Sequence, residues 1–153
     1  MVSGVDGFSS VTVRSGPWDL TTITEFLSST VIPIRLATSG RFPLVQSLWF
    51  TVLDGHLWCA TQADSLLATR LHRNSRVGFE VAPDAPPYHG VRGTGIASVR
   101  PSQAPAILPA LLDRYAIPRD SQLGAWLLSR LDSEIAVRIQ PLNVTSWDYR
   151  SRM

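Results

Sequence analysis

Apolar and polar positions along this chain repeat with two different periods. In DLTTITEFLSST the period is helical: Leu20, Ile23, Phe26 and Leu27 form one stripe and Thr22 with Glu25 reads as a capping box, which predicts a helix over residues 19–28. The pattern then changes to runs rich in β-branched and aromatic residues, VIPIRLAT and PLVQSLWFTVL, and Asp54-Gly55 joins the second to HLWCAT in a predicted tight hairpin. A second helix is predicted over 64–74, with Leu66, Leu67 and Leu71 on its inner side, and SRVGFEVAP follows as a strand. Pro83, Pro86 and Pro87 mark a loop. Beyond it YHGVRGTGIASVR reads as a long strand with three glycines, a pattern found where a barrel bends or a ligand nears the backbone. Leucine spacing predicts helices over 103–115 and 120–131, and Pro109 is expected to kink or shorten the first. Two strands, EIAVRIQP and NVTSWDYRSRM, are expected to close the chain.

This order of elements predicts a mainly β fold, a small barrel of six to seven largely antiparallel strands with helices at its ends and between them. Residues 17–153 are expected to form one domain, and the Ser/Gly/Val-rich residues 1–16 a flexible arm or an edge strand. A chain of 153 residues with 44% hydrophobic and 17% charged positions can bury a core of its own.

Composition narrows the chemistry. All 14 basic residues are arginine, so a lysine Schiff base, a P-loop nucleotide site and a lysine general base are excluded. The single Cys59 lies in a strand-like run, which excludes an internal disulfide and a cysteine-cluster metal site and suggests a small buried apolar residue in a reducing compartment. A net charge of +2 with dispersed arginines gives no reason to expect a nucleic-acid partner. MVSGVDGFSSVTV has neither the basic nor the apolar part of a signal peptide, and no run of about 18 apolar residues occurs, so a cytoplasmic protein without membrane spans is expected. His56, His72 and His89 lack ligand spacing, so no metal is expected. VRGTGIA lies inside a strand and not between a strand and a helix, which removes it as a dinucleotide fingerprint.

The stretch LWCATQADSLLATRLHRNSRVGFEV holds the strongest local signal. Its turn enters a helix through Asp64-Ser65, with Thr61 and Gln62 just ahead, and free amides at a helix start beside a hydroxyl suit an anion. The next two residues are Leu66 and Leu67, which would pack as core and place no charge on a phosphate.

The longer stretch ATSGRFPLVQSLWFTVLDGHLWCATQADSLLATRLHRNSRVGFEV resembles the pyridoxamine 5'-phosphate oxidase-like flavoproteins, the FMN-binding split-barrel superfamily. The likeness continues through GVRGTGIASV to IQPLNVTSWDY and covers about residues 30–150. It implies a split β-barrel and a homodimer, with FMN or the related deazaflavin coenzyme at the interface, its phosphate near the helix start and its ring against the strand after Pro43. Thr61 and Ser65 match the family's phosphate positions, whereas its basic pair falls on Leu66 and Leu67 and its arginine three residues past the proline falls on Gln46. Carried over residue by residue, Ser47, Leu48 and Trp49 would line the ring, and the phosphate would rely on the helix-end amides, Thr61, Ser65, Gln46 and a displaced arginine, Arg70 or Arg92. Tyr88, His89 and Arg92 would face the substrate, with Trp147 as a lid. The activity implied is that of a flavin-type oxidoreductase moving hydride to or from a small conjugated substrate. The departures at Gln46, Leu66 and Leu67 keep two alternatives open: a cofactor-free relative binding another small ligand, and a structural or partner-binding dimer.

Overall fold

The computed structural model describes residue 8 and residues 10–153; the rest of the expected N-terminal arm, residues 1–7 and 9, lies outside the described residues. Eight strands, β1 (Thr12–Ser15), β2 (Ile34–Thr38), β3 (Leu44–Leu48), β4 (Thr51–Leu53), β5 (His56–Gln62), β6 (Arg76–Val81), β7 (His89–Arg100) and β8 (Glu134–Asp148), form one sheet. Four helices accompany them: α1 (Leu20–Ser29), α2 (Leu66–Arg73), α3 (Ala104–Arg114) and α4 (Gln122–Ser129). The strand order is β3-β2-β6-β7-β8-β5-β4, every neighbouring pair is antiparallel, and β1 alone lies parallel against β8. The sheet curls into a half-barrel whose two ends, β3 and β4, come from consecutive segments of chain.

Local physics explains most element boundaries and corrects several expectations. Asp54 (φ 50°) and Gly55 (φ 69°) both adopt positive φ, as a two-residue hairpin of matching twist requires, and they set Leu53 opposite His56. α1 is capped by Asp19, whose carboxylate accepts from the Thr22 amide at 2.8 Å, so Thr22 sits at the third helical position and is not the cap. α3 runs through Pro109 without ending there. PLVQSLWFTVL is not one strand: it breaks after Leu48, where the Phe50 amide leaves the ladder and donates to the Tyr115 hydroxyl at 3.1 Å. The two closing strands are one, β8 running unbroken from Glu134 to Asp148, and Pro141 is accommodated beside a bulge in β8, where Leu142 is the extra residue between the partners of Thr94 and Gly95. These changes, with β1, bring the count to eight.

The glycines of β7 make room for neighbouring parts of the chain. A Cβ on Gly93 would lie 2.3 Å from the Asn143 carbonyl oxygen and 2.6 Å from Phe79, and one on Gly95 2.6 Å from the Gln140 carbonyl oxygen. The barrel core collects Ile34, Leu36, Leu57, Phe79, Val137 and Ile139, and a second cluster of Trp58, Ile107, Leu111 and Ala136 seats α3 on the outer face of β5 and β8. Cys59 is fully buried in the first cluster, and burial pushes its thiol up to about 12. Its thiolate is therefore absent at neutral pH. Ellman's reagent is expected to leave the folded protein unmodified and to titrate the thiol only in denaturant; rapid reaction of the native protein would contradict this.

Candidate functional site

β5 leads from the core to the suspected anion turn. The Ser65 amide donates to the Gln62 carbonyl at 3.0 Å, closing the turn, and Ser65 Oγ caps α2 by accepting from the Ala68 amide at 3.1 Å. The amides of Leu66 and Leu67, at the first two helical positions, are the donors left without intrahelical partners. The two leucines differ. Leu67 is 1% exposed and belongs to the barrel core, while Leu66 is 54% exposed, so only one of the pair packs as the sequence suggested. Arg70 is engaged elsewhere: its Nη1 donates to the Phe42 carbonyl at 2.7 Å, and its guanidinium occupies the space that a Cβ on Gly40 would need. Gln46 lies opposite Leu36, and its buried Oε1 has no hydrogen-bond partner. The turn thus offers the two amides, and among the described residues no basic side chain is hydrogen-bonded to it.

Ser47, Leu48 and Trp49 meet in a cavity of about 270 Å³, together with Ala60, Leu108, Leu111, Leu127 and Glu134. That volume is just below the roughly 300–1,000 Å³ of common small-molecule pockets, and the lining is apolar apart from Ser47 and Glu134. Trp49 is held by a stack on Tyr115, centroids 5.2 Å apart and planes 16° apart, and the Tyr115 hydroxyl donates to the Ile32 carbonyl at 2.7 Å. Ala60 lines the cavity, and Gln62, two residues further along β5, donates to Glu134 of the same lining, so the turn closed by Gln62 and Ser65 lies beside the cavity. Sequence reasoning missed Glu134 and Tyr115. Glu134 carries a signal, as a lone acid heading an apolar strand; Tyr115 reads as the end of a helix and gives none.

The remaining expected residues stand at the far end of the sheet. Gly90 is paired with Trp147 and Arg92 with Thr145, whereas Thr61 is paired with Ile135, twelve residues away along β8, or roughly 40 Å of extended chain. There His89 packs edge-on against Trp18 and Phe26, with Nδ1 3.0 Å from the Pro87 carbonyl oxygen. Arg92 lies 5.8 Å from the Trp147 ring centroid, and Tyr88 is exposed. One chain therefore gathers Ser47, Leu48, Trp49, Thr61 and Ser65 at one end and Tyr88, His89, Arg92 and Trp147 at the other.

This architecture has known counterparts. A conserved hypothetical protein from Mycobacterium tuberculosis superposes with a TM-score of 0.74 over 88% of this chain and 87% of its own, at 27% identity. An F420 reductase matches with a TM-score of 0.67 over 78% and 94% of the two chains at 20% identity. A candidate pyridoxamine 5'-phosphate oxidase from Listeria innocua matches with 0.58 over 74% and 86% at 18% identity. The chain has the split-barrel fold of the pyridoxamine 5'-phosphate oxidase-like superfamily. Its curved antiparallel sheet, with helices after β5 and β7, is the split barrel that the resemblance implied. No protein-family model matches the chain. An inositol 2-dehydrogenase from Renibacterium salmoninarum is 31% identical over 80 residues, which are 52% of this split barrel and 22% of that enzyme, so the chain spans about a fifth of that relative. No helix among the described residues is long and apolar enough to cross a membrane.

Whether a flavin-type group suits the residues present can be judged part by part. The cavity beside Ser47, Leu48 and Trp49 has a mostly apolar lining of the kind that takes an aromatic ring, with Glu134 as its charged member. The phosphate end has neutral donors, the Leu66 and Leu67 amides; Arg70 is engaged with the Phe42 carbonyl, and the Glu134 carboxylate is bonded to Gln62 where the turn begins. A planar ring therefore suits these residues better than a phosphate does.

Proposed function

We propose that this chain is a flavin-type oxidoreductase that uses FMN or a deazaflavin coenzyme and acts on a small conjugated substrate. The observation that carries this reading is the hydrogen bond from Gln62 to Glu134, which sets the apolar cavity at Ser47, Leu48 and Trp49 beside the Gln62–Ser65 turn and the amide-bearing start of α2, an arrangement that suits a ligand with an aromatic head and an anionic tail. Bound there, such a coenzyme supplies hydride transfer, and the protein supplies position and polarity. Ser47 and the β3 backbone orient the ring edge, Trp49 braced by Tyr115 forms one wall, and Leu108 and Leu111 exclude water from the back. The tail meets Thr61 and the α2 amides.

The same reading includes a homodimer. Tyr88, His89, Arg92 and Trp147 lie too far along β8 to meet the cavity of their own chain, so they serve a substrate only beside the cavity of a second copy. Sedimentation is expected to give twice the monomer mass, and a monomer that binds the coenzyme would remove these four residues from the site. A cofactor-free role is the second reading, favoured by the engaged Arg70 and the buried Leu67.

Titration with FMN and with the deazaflavin coenzyme, followed by absorbance and fluorescence, decides between the two. Micromolar or poorer affinity is expected, since each missing charge-assisted contact is worth about 1.5–3 kcal/mol. Ser65→Ala is expected to weaken FMN binding about fivefold and to cost about 1 kcal/mol of stability through the lost cap. A folded protein that binds neither coenzyme would leave the cofactor-free reading.

A further inference from the structure

The cavity beside Trp49 contains one ionisable group. Glu134, the first residue of β8, stands directly opposite Gln62 of β5, and Gln62 Nε2 donates to Glu134 Oε2. The Gln62 amide is itself oriented, because its Oε1 accepts from Ser133 Oγ at 2.7 Å and its backbone carbonyl closes the Ser65 turn. Among the described residues nothing donates to the other carboxylate oxygen, Oε1, and the carboxyl lines the cavity. The elements packed around it bring little polarity: α3 offers Leu108 and Leu111, α4 offers Leu127, and β3 offers Ser47. Burial pushes the Glu134 carboxyl above its ordinary value, offset in part by the Gln62 bond and by the charge of Arg130 at the end of α4.

A half-buried carboxylate whose second oxygen is open to the cavity and free of protein donors can accept from a ligand that brings a donor into those mostly apolar walls. It also repels negative charge more strongly than it would in water. Resting on the flavin-type reading of this cavity, we propose that Glu134 is its specificity-determining residue: it accepts a hydrogen bond from the N–H edge of a planar ring and disfavours rings that are anionic or blocked at that edge. Gln62 acts through Glu134 as a positioning residue, fixing one oxygen so that the other faces the ligand. Because Gln62 also forms the anion turn, the ring edge and the tail are registered by one side chain and its own backbone.

The experiment uses lumiflavin, a ring with the N–H and no phosphate, and its N3-methyl derivative, titrated by fluorescence quenching into the full-length protein and the near-isosteric Glu134→Gln variant between pH 5 and 8. The wild-type protein is expected to bind lumiflavin about tenfold more tightly than the methylated ring at pH 8. Since the ionised carboxylate is the better acceptor, that preference should shrink as pH falls towards the raised pKa of the carboxyl. Glu134→Gln should fold with an unchanged melting temperature, show a smaller preference, and lose the pH dependence. Equal binding of both rings at every pH, by wild type and variant alike, would overturn the role of Glu134 while leaving the ring cavity standing. Failure of the wild-type protein to bind either ring would overturn both.

Discussion

Arg114→Ala is expected to lower the stability of the barrel by about 3 kcal/mol, a large fraction of the roughly 5–15 kcal/mol available to a domain of this size. The Arg114 guanidinium closes the C-terminus of α1, donating to the carbonyls of Leu27 at 2.8 Å, Ser28 at 2.9 Å and Thr30 at 3.0 Å. These belong to the carbonyls that a helix end leaves without intrahelical donors. The guanidinium carbon also lies 4.8 Å from the ring centroid of Phe50, which is fully buried. Alanine would leave three carbonyls and one ring face without their partner. Lysine keeps the charge but not the fork, so Arg114→Lys should recover less than half of the loss. The effect should extend to the site, because Arg114 precedes Tyr115, whose hydroxyl fixes Ile32 and Phe50 and whose ring supports Trp49. Urea denaturation gives the stability and lumiflavin titration the site; a loss under 1 kcal/mol would show that water replaces the guanidinium at little cost.

Arg114 also shows where sequence reading stops. Periodicity predicts α3 and the apolar stripe that seats it, since Ile107 and Leu111 repeat at helical spacing, but nothing in the spacing tells that the arginine following them reaches back more than 80 residues to cap α1. The same holds for the sheet. The hairpin at Asp54-Gly55 is legible because positive φ demands those residues, whereas the break at Trp49-Phe50 depends on a hydroxyl supplied by Tyr115. β8 reads as two strands because proline is usually a stop, and it continues because a bulge at Leu142 beside Pro141 takes up the disturbance. In the site, the turn at Ser65 is readable because a cap is local. The destination of Arg70 and the register that sets Glu134 against Gln62 are not, since both depend on pairing between distant segments.

Leu66→Arg and Leu67→Arg are expected to differ sharply, although the two positions are adjacent and the superfamily resemblance places a basic residue at each. Leu67 is 1% exposed, in the cluster that also holds Leu71 and Ile139. Arginine there would forfeit about 2–5 kcal/mol of leucine packing and would bury a charge without a partner, at a further cost of several kcal/mol. Leu67→Arg is therefore expected not to fold at 37 °C. Leu66 is 54% exposed at the first helical position, where arginine loses almost no packing and opposes the helix dipole by about 0.3–1 kcal/mol. A guanidinium at that place supplies the phosphate contact that the turn lacks. FMN should bind Leu66→Arg about tenfold more tightly than it binds the wild-type protein, by the worth of one charge-assisted bond. Lumiflavin, which has no phosphate, should bind both equally. This pair of ligands separates a repaired phosphate site from a general gain in affinity. Equal tightening of FMN and lumiflavin, or tightening of neither, would mean that the anionic tail does not lie at the Ser65 turn.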